Sequence, residues 1–359
     1  MNADRLRAAL SDQAAQCAAL GSPFMARLMA LLAERLAPGT ALTDRLFDWP
    51  GDPGPRGASV PLRLAGALHA LKLSGHAGLG AVYPPASATE AALWSAVARA
   101  LETEAEAIGR FIDSPPQTNE VRRSAVLIAL AHWLAAANAL PLRLSELGAS
   151  AGLNLSFDRF ALRAGAVMFG AAQPALTLSP DWRGALPPRV PFRVAGRAGV
   201  DLNPLDPARA EDRLRLRAYL WPDQEERRAL TDAALAVAGP APDRGDAIDW
   251  LAGRLAPVPG TLHLIYTTVA WQYFPPESQA RGRALIEAAG QHAAADAPLA
   301  WFGMEADGGA TGGANGAALT LRLWPGDRRI DLGRADFHGR WVDWRAPPPD
   351  APATTGTAA

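Results

Sequence analysis

The sequence predicts an α/β fold in which a parallel sheet wound with helices follows a region made of helices alone. Three observations predict it. Up to about Asn138 the apolar residues recur at helical spacing, and after Pro141 short strand-like runs alternate with helical ones. The chain has 359 residues, room for two domains or one large one. Its composition, 49% hydrophobic and 20% charged, supports a sizeable core. The near balance of 35 basic and 36 acidic side chains gives no strong attraction to nucleic acid or to a membrane surface, so neither is expected as a partner.

The elements follow in order. Helices are expected over 1–20, 23–37, 62–73, 88–112 and 117–138, with the Pro/Gly stretch 48–61 as a loop. Strands are expected over 142–147, 198–202, 261–269, 298–304 and 318–324. Helices over 152–160, 207–220 and 276–292 supply right-handed crossovers. A Pro/Gly-containing insertion spans 163–196, a Gly-rich segment at 307–316 reads as a connection or a lid, and 346–359 reads as a disordered Pro/Ala/Thr tail. The stretch 124–142 carries no formal charge and is about as long as a membrane span. Its many alanines, with His132, Asn138 and Pro141, fit the centre of a large soluble domain instead. Asp4, Arg5, Arg7 and Asp12 interrupt any secretory apolar run, and a cytoplasmic protein is expected.

Single residues remove several chemistries. Lys72 is the sole lysine, which excludes a phosphate-binding Gly-Lys-Ser/Thr loop and disfavours Schiff-base chemistry. Cys17 is the sole cysteine and can form neither an internal disulfide nor a cysteine-cluster zinc site. The six histidines are scattered without ligand spacing, so no metal is expected.

The chemistry-bearing run is Glu146-x-Gly148-x-Ser150-x-Gly152-x-Asn154, a strand, a small-residue turn and a helix start, where backbone can approach a ligand closely. Leu153 stands where a dinucleotide fingerprint needs its third glycine, which disfavours NAD. The pattern resembles motif I of class I S-adenosylmethionine-dependent methyltransferases. That resemblance implies that Glu146 addresses the methionine end and that Gly148, Ser150, Gly152 and Asn154 line the adenosyl site. Packing alone is the other reading of such a turn. Downstream, Asp201 ends the second strand in Gly199-Val-Asp201-Leu-Asn203-Pro204, where two acceptor oxygens suit a ribose diol; a solvated turn is the alternative. Arg244-Gly-Asp246-Ala247 resembles the adenine-binding loop, with Asp246 accepting the amino group and a neighbouring backbone N–H meeting the ring, although Asp246 can equally cap a helix.

The fourth strand opens onto Tyr266-Thr267-Thr268-Val-Ala-Trp271-Gln-Tyr273, where such enzymes place acceptor-binding groups; Trp271 and Tyr273 serve either a sulfonium or planar substrate, or the core. The acid familiar at the start of this strand is absent. Upstream, the expected helix 117–138 is long enough for Gln117, Thr118, Asn119 and Glu120 to overhang the carboxyl end of the first strand, with Arg122 or Arg123 beside a ligand carboxylate. Glu120 and Arg123 also fit an ordinary surface pair.

Taken together, Gln-Thr-Asn-Glu at 117–120, the 146–155 run, Asp158-Arg159, Gly199-Val-Asp201, Leu220-Trp-Pro-Asp223 and His338-Gly339-x-Trp341 are similar to an uncharacterised bacterial family, domain of unknown function 2332. The resemblance implies a Rossmann-like class I methyltransferase sheet over 139–345 with an N-terminal all-helical cap region over 1–138. The expected function is an S-adenosylmethionine-dependent methyltransferase acting on a small-molecule methyl acceptor. Glu146, Gly148, Ser150, Gly152, Asn154, Asn119, Asp201, Asp246, Ala247 and Thr267 are the expected cofactor residues, and Glu120, Tyr273 and His338 the expected catalytic ones. His338 also fits a structural role, and Trp221-Pro222-Asp223 a helix-ending turn. The alternative function is a non-catalytic sensor or interaction protein that binds S-adenosylmethionine or S-adenosylhomocysteine.

Overall fold

A computed structural model describes residues 2–307 and 316–349. The chain divides into two compact units, one formed by 1–118 with 209–229 and the other by 119–208 with 230–359. The division thus falls before the expected boundary at 138. Residues 119–138 join the sheet, and 209–229 join the helices.

The first unit holds α1 (Asn2–Ala19), α2 (Pro23–Arg35), α3 (Ala41–Phe47), α4 (Val60–Leu73), α5 (Ala77–Gly80), α6 (Glu90–Thr103) and α7 (Ala105–Ile112), and later in the chain Ala210–Ala218. One core joins them, built on Leu10, Met29, Leu32, Leu68 and Tyr83, with Trp221 packed against it. The expected single helix 88–112 is two helices, α6 and α7, parted at Glu104. Segment 48–59 is the expected loop, and α3 just before it was not foreseen.

The second unit is built on a nine-stranded sheet. Its strands are β1 (Leu142–Leu147), β5 (Asp181–Gly184), β6 (Val194–Asp201), β7 (Asp243–Arg244), β8 (Leu262–Thr268), β9 (Leu299–Glu305), β10 (Ala317–Trp324), β11 (Arg328–Ala335) and β12 (Trp341–Trp344), in the order β5-β12-β11-β10-β9-β8-β1-β6-β7. From β7 to β9 every pairing is parallel; β10 runs antiparallel to β9 and β11, and β11 to β12. β2 (Ala161–Ala164), which begins just before the expected insertion, and β3 (Val167–Gly170) and β4 (Thr177–Leu178) within it form a separate three-stranded sheet, while β5 closes the far edge on β12. The helices are α8 (Ser124–Ala137), α9 (the Ala210–Ala218 helix of the first unit), α10 (Glu225–Ala236), which contains the division at 229/230, α11 (Ala247–Ala252) and α12 (Pro276–Gln291).

β8 is buried at every position, so its uninterrupted apolar and small-polar run is what a strand covered on both faces requires. One face carries the core of Leu147, Ile265, Ile248 and Ile286 with α11 and α12. The expected helix 117–138 is shorter: 117–120 are extended, Val121–Arg123 make one 3-10 turn and only Ser124–Ala137 are α-helical. The expected helix 152–160 is a 3-10 segment, Leu153–Arg159, kinked at Ser156. Among the described residues no helix is long and apolar enough to cross a membrane. At the expected tail, Pro347 and Pro349 are held through their carbonyls by Trp133 Nε1 (2.7 Å) and Arg328 (3.2 Å). Residues 350–359, and 308–315 of the Gly-rich segment, lie outside the described residues.

Candidate functional site

From β1 the chain passes to β6 and β7 on one side and then crosses to β8 on the other, so the strand order reverses between β1 and β8. The crevice outside the carboxyl ends of strands at such a reversal is where open α/β sheets bind ligands. Two of the four non-glycine residues at positive φ among the described residues stand there: Ser150 (φ 53°) after β1 and Val269 (φ 58°) after β8. A β-branched residue in the left-handed region is strained, and such strain clusters at functional sites.

The turn after β1 is tied to β6. The amides of Gly148 and Ala149 donate to the Val200 carbonyl (2.9 and 3.0 Å), and that of Ser150 to Asp201 Oδ2 (2.9 Å). Asp201 Oδ1 accepts from the Asn203 amide (2.8 Å), so the carboxylate expected to hold a diol also shapes both turns around it. Gly148 (φ 74°) needs its missing side chain twice over, since a Cβ there would stand 2.6 Å from that of Ala270. The Ser150 hydroxyl is buried with no hydrogen-bond partner.

Glu146 ends β1 on the opposite face from the Ile265 core, directly beside Tyr266 of β8. Its carboxyl group is 2% exposed, and Tyr266 OH reaches it at 3.4 Å and the Asn154 carbonyl at 3.5 Å. Burial pushes Glu146 up to about 8, against the hydrogen bond from Tyr266 and the charge of Arg123, with the charge of Asp201 adding to the rise. Burial and the neighbouring Glu146 likewise raise the Tyr266 phenol.

Above this pair sits the segment that sequence periodicity assigned to a helix. Asn119 Oδ1 accepts from the Leu153 amide (2.9 Å), Glu120 Oε1 from the Arg122 amide (3.2 Å), and Asn154 Nδ2 donates to the Glu120 carbonyl (3.4 Å). Ser124 Oγ donates to Asn154 Oδ1 at 2.7 Å. Asn119, Glu120 and Asn154 therefore reach the expected place as an extended strap, and Asn154 holds that strap with its side chain. Arg123 donates to the carbonyls of Thr268 (2.8 Å) and Phe337 (2.9 Å), which brings the end of β8 and the His338 loop to the same spot. Glu120 itself is 4% exposed rather than on the surface.

In that loop Asp336 accepts from the His338 amide (3.0 Å) and the Arg340 guanidinium (2.7 and 2.9 Å). Burial works to raise its pKa, but these bonds prevail and hold the carboxyl below its ordinary value. Glu305, at the end of β9, accepts from the amides of Ala270, Trp271 and Gln272 (3.1–3.3 Å) and from the Thr267 hydroxyl, and so fixes the strained turn at Val269. Burial still raises its pKa against those donors. Thr267, 1% exposed, thus serves Glu305. Trp271 packs in the core against Phe274 and Trp301, whereas Tyr273 is 71% exposed and, among the described residues, makes no side-chain hydrogen bond. Asp246 caps α11 through the amides of Ile248 and Asp249 (2.9 and 3.0 Å), with Ala247 as the first helical residue; the Gly245 amide ties this loop to the Asp201 carbonyl (3.0 Å). Arg123, expected beside a ligand carboxylate, binds two backbone carbonyls, and Tyr266 and Glu305 were not among the expected site residues. Glu305, an acid directly after a predicted strand, was the one with a readable signal.

A family model described as an uncharacterised protein conserved in bacteria, domain of unknown function 2332, matches residues 7–344. The chain belongs to that family. No curated protein and no solved structure matches it. Several of the motifs that suggested the family coincide with the bonds just described: Asn119 and Glu120 of the 117–120 run form the strap, 146–155 the strand, turn and Asn154, and His338-Gly339 the loop under Arg123.

Proposed function

We propose that this protein binds S-adenosylmethionine at the carboxyl ends of β1, β6 and β8 and transfers its methyl group to a small molecule. The observation that carries the proposal is Glu146, a fully buried carboxyl group at the strand-order reversal whose hydrogen bond within the chain is long. Among the described residues Glu146 forms no ion pair, the charge of Arg123 acting on it only at a distance, and a buried acid so placed favours a cation from a ligand, such as an amino acid ammonium group. The order β7-β6-β1-β8-β9, five parallel strands, supports a methyltransferase-like Rossmann arrangement in which Asp201 ends β6 and Asp246 caps α11 just after β7.

The residues fit the cofactor. Glu146 would take the ammonium end, Asp201 the ribose hydroxyls, and the 244–247 loop the adenine edge. When bound, the cofactor supplies an electrophilic methyl group. The chain's contribution is alignment: the strap at 119–124, Arg123 and the Glu305-capped turn hold the crevice wall in a fixed geometry. The rival reading, a non-catalytic sensor, draws on one observation: Glu305, the acid nearest the end of β8, is already engaged by three amides.

Calorimetric titration with S-adenosylmethionine and S-adenosylhomocysteine tests the binding. Because free Glu146 is held to about 8, pairing with an ammonium group near pH 7 should release about one proton, read from the dependence of heat on buffer ionisation enthalpy. Glu146→Gln should abolish that release and weaken binding by about ten-fold or more. No saturable heat at millimolar ligand, or binding indifferent to Glu146→Gln, overturns the assignment. Tight binding without turnover of any acceptor would select the sensor.

A further inference from the structure

A second cleft lies at the other end of the same strands. Its volume is about 400 Å³, in the range of small-molecule sites. It borders Arg193 and Val194, where β6 begins, and Arg193's carbonyl accepts from the amide of Leu142, where β1 begins. Four residues of β1, roughly 13 Å, therefore separate Leu142 from Glu146.

The cleft is built around His132 of α8. Its Nδ1 lies 2.6 Å from the Val190 carbonyl and its Nε2 accepts from the Gly170 amide at 3.1 Å. An acceptor at one nitrogen and a donor at the other define a neutral imidazole with its proton on Nδ1. Burial, outweighing the bond to Val190 and helped by the charge of Arg189, lowers its pKa accordingly. His132 thus ties β3 on one wall to the 187–193 segment on the other and is a positioning residue. Phe169 and Phe192 stand edge-on to its ring at 5.4 and 5.1 Å and give the cleft an aromatic interior.

The charge on the lining is one-sided. Its single acid, Asp158, is neutralised by a two-pronged pair with Arg197 (2.7 and 2.8 Å). Arg189 and Arg193 line the same cleft, both exposed, and among the described residues neither forms an ion pair. Two unneutralised guanidinium groups beside aromatic walls match an anion carried on a flat apolar body. We propose that this cleft binds a small planar aromatic carboxylate, a site separate from the adenosylmethionine crevice and independent of that reading.

The test uses 2-naphthoate, which is fluorescent, with 2-naphthamide as its neutral counterpart. The whole protein should bind 2-naphthoate saturably and favour it over the amide by about ten-fold or more, the worth of charge-assisted hydrogen bonds. Arg189→Ala with Arg193→Ala should remove that preference while leaving the melting temperature unchanged, because both side chains are exposed. Equal affinity for acid and amide, binding unaltered in the double variant, or no saturation at millimolar probe would each overturn the proposal.

Discussion

Gly339 is a glycine for two reasons that act together. Its φ of 69° lies in the left-handed region, and a Cβ there would stand 2.7 Å from the carbonyl carbon and oxygen of Arg122. The backbone of the His338 loop thus lies directly on the 3-10 turn from which Arg123 reaches Thr268 and Phe337. Alanine would have to move backbone rather than a flexible side chain. Gly339→Ala should cost roughly 2–4 kcal/mol, measured as a lower urea midpoint at unchanged slope. A loss below about 0.5 kcal/mol would mean that loop and turn are not in contact. The same contact accounts for Gly339 in the His-Gly-x-Trp run without any role in ligand binding.

At the scale of elements, Asp223 shows how a motif can act at a distance along the chain. Trp221-Pro222-Asp223 is more than a turn that ends a helix: Asp223 accepts from Ser22 Oγ (2.5 Å) and from the Phe24 amide (2.9 Å), at the amino end of α2. Ser22 is itself the cap of α2, so cap and carboxylate share the open amides of its first turn. Asp223→Ala should destabilise the helical unit by about 1–3 kcal/mol and raise hydrogen exchange first in the opening turn of α2; uniform exchange changes in all helices would refute this local role. Periodicity carries no trace of such a bond. It placed β1 residue for residue and β8, β9 and β10 to within about one, because those strands are buried continuous runs. It failed for 117–123, where the Asn119 and Glu120 side chains bind amides that a helix would leave to its own first turn or to water. It failed again for β2 to β5, two to four residues each, one of which pairs with a strand near the end of the chain. Within the site, Glu146 and Asp201 were legible because a turn motif marks them. The partners of Arg123 were not, since they are backbone carbonyls of residues far along the chain.

For the whole molecule, the buried ionisable groups set opposing limits on stability as pH changes. Burial lowers His69 to about 4 and His263 to about 3, and also lowers His132. Each is neutral in the folded chain, so its contribution is full above its ordinary value near 6.5 and is lost as pH falls below that. Glu146 works in the other sense: raised from 4.5 to about 8, it favours the folded chain while protonated, and that contribution is lost as pH rises between those values. Glu305, also raised by burial, adds to the same limb. Between about 4.5 and 6.5 His69 and His263 oppose Glu146, and above 6.5 the loss from Glu146 continues alone, which puts maximal stability near pH 6.5. Melting temperature against pH should therefore fall on both sides of that point, and Glu146→Gln should flatten the alkaline side and steepen the acid side between about 4.5 and 6.5. An alkaline limb indifferent to Glu146→Gln would mean that Glu146 is already ionised and paired in the free protein. That outcome would also remove the proton release expected when Glu146 pairs with the ammonium group of adenosylmethionine, so this one melting series bears on the function as well as the fold.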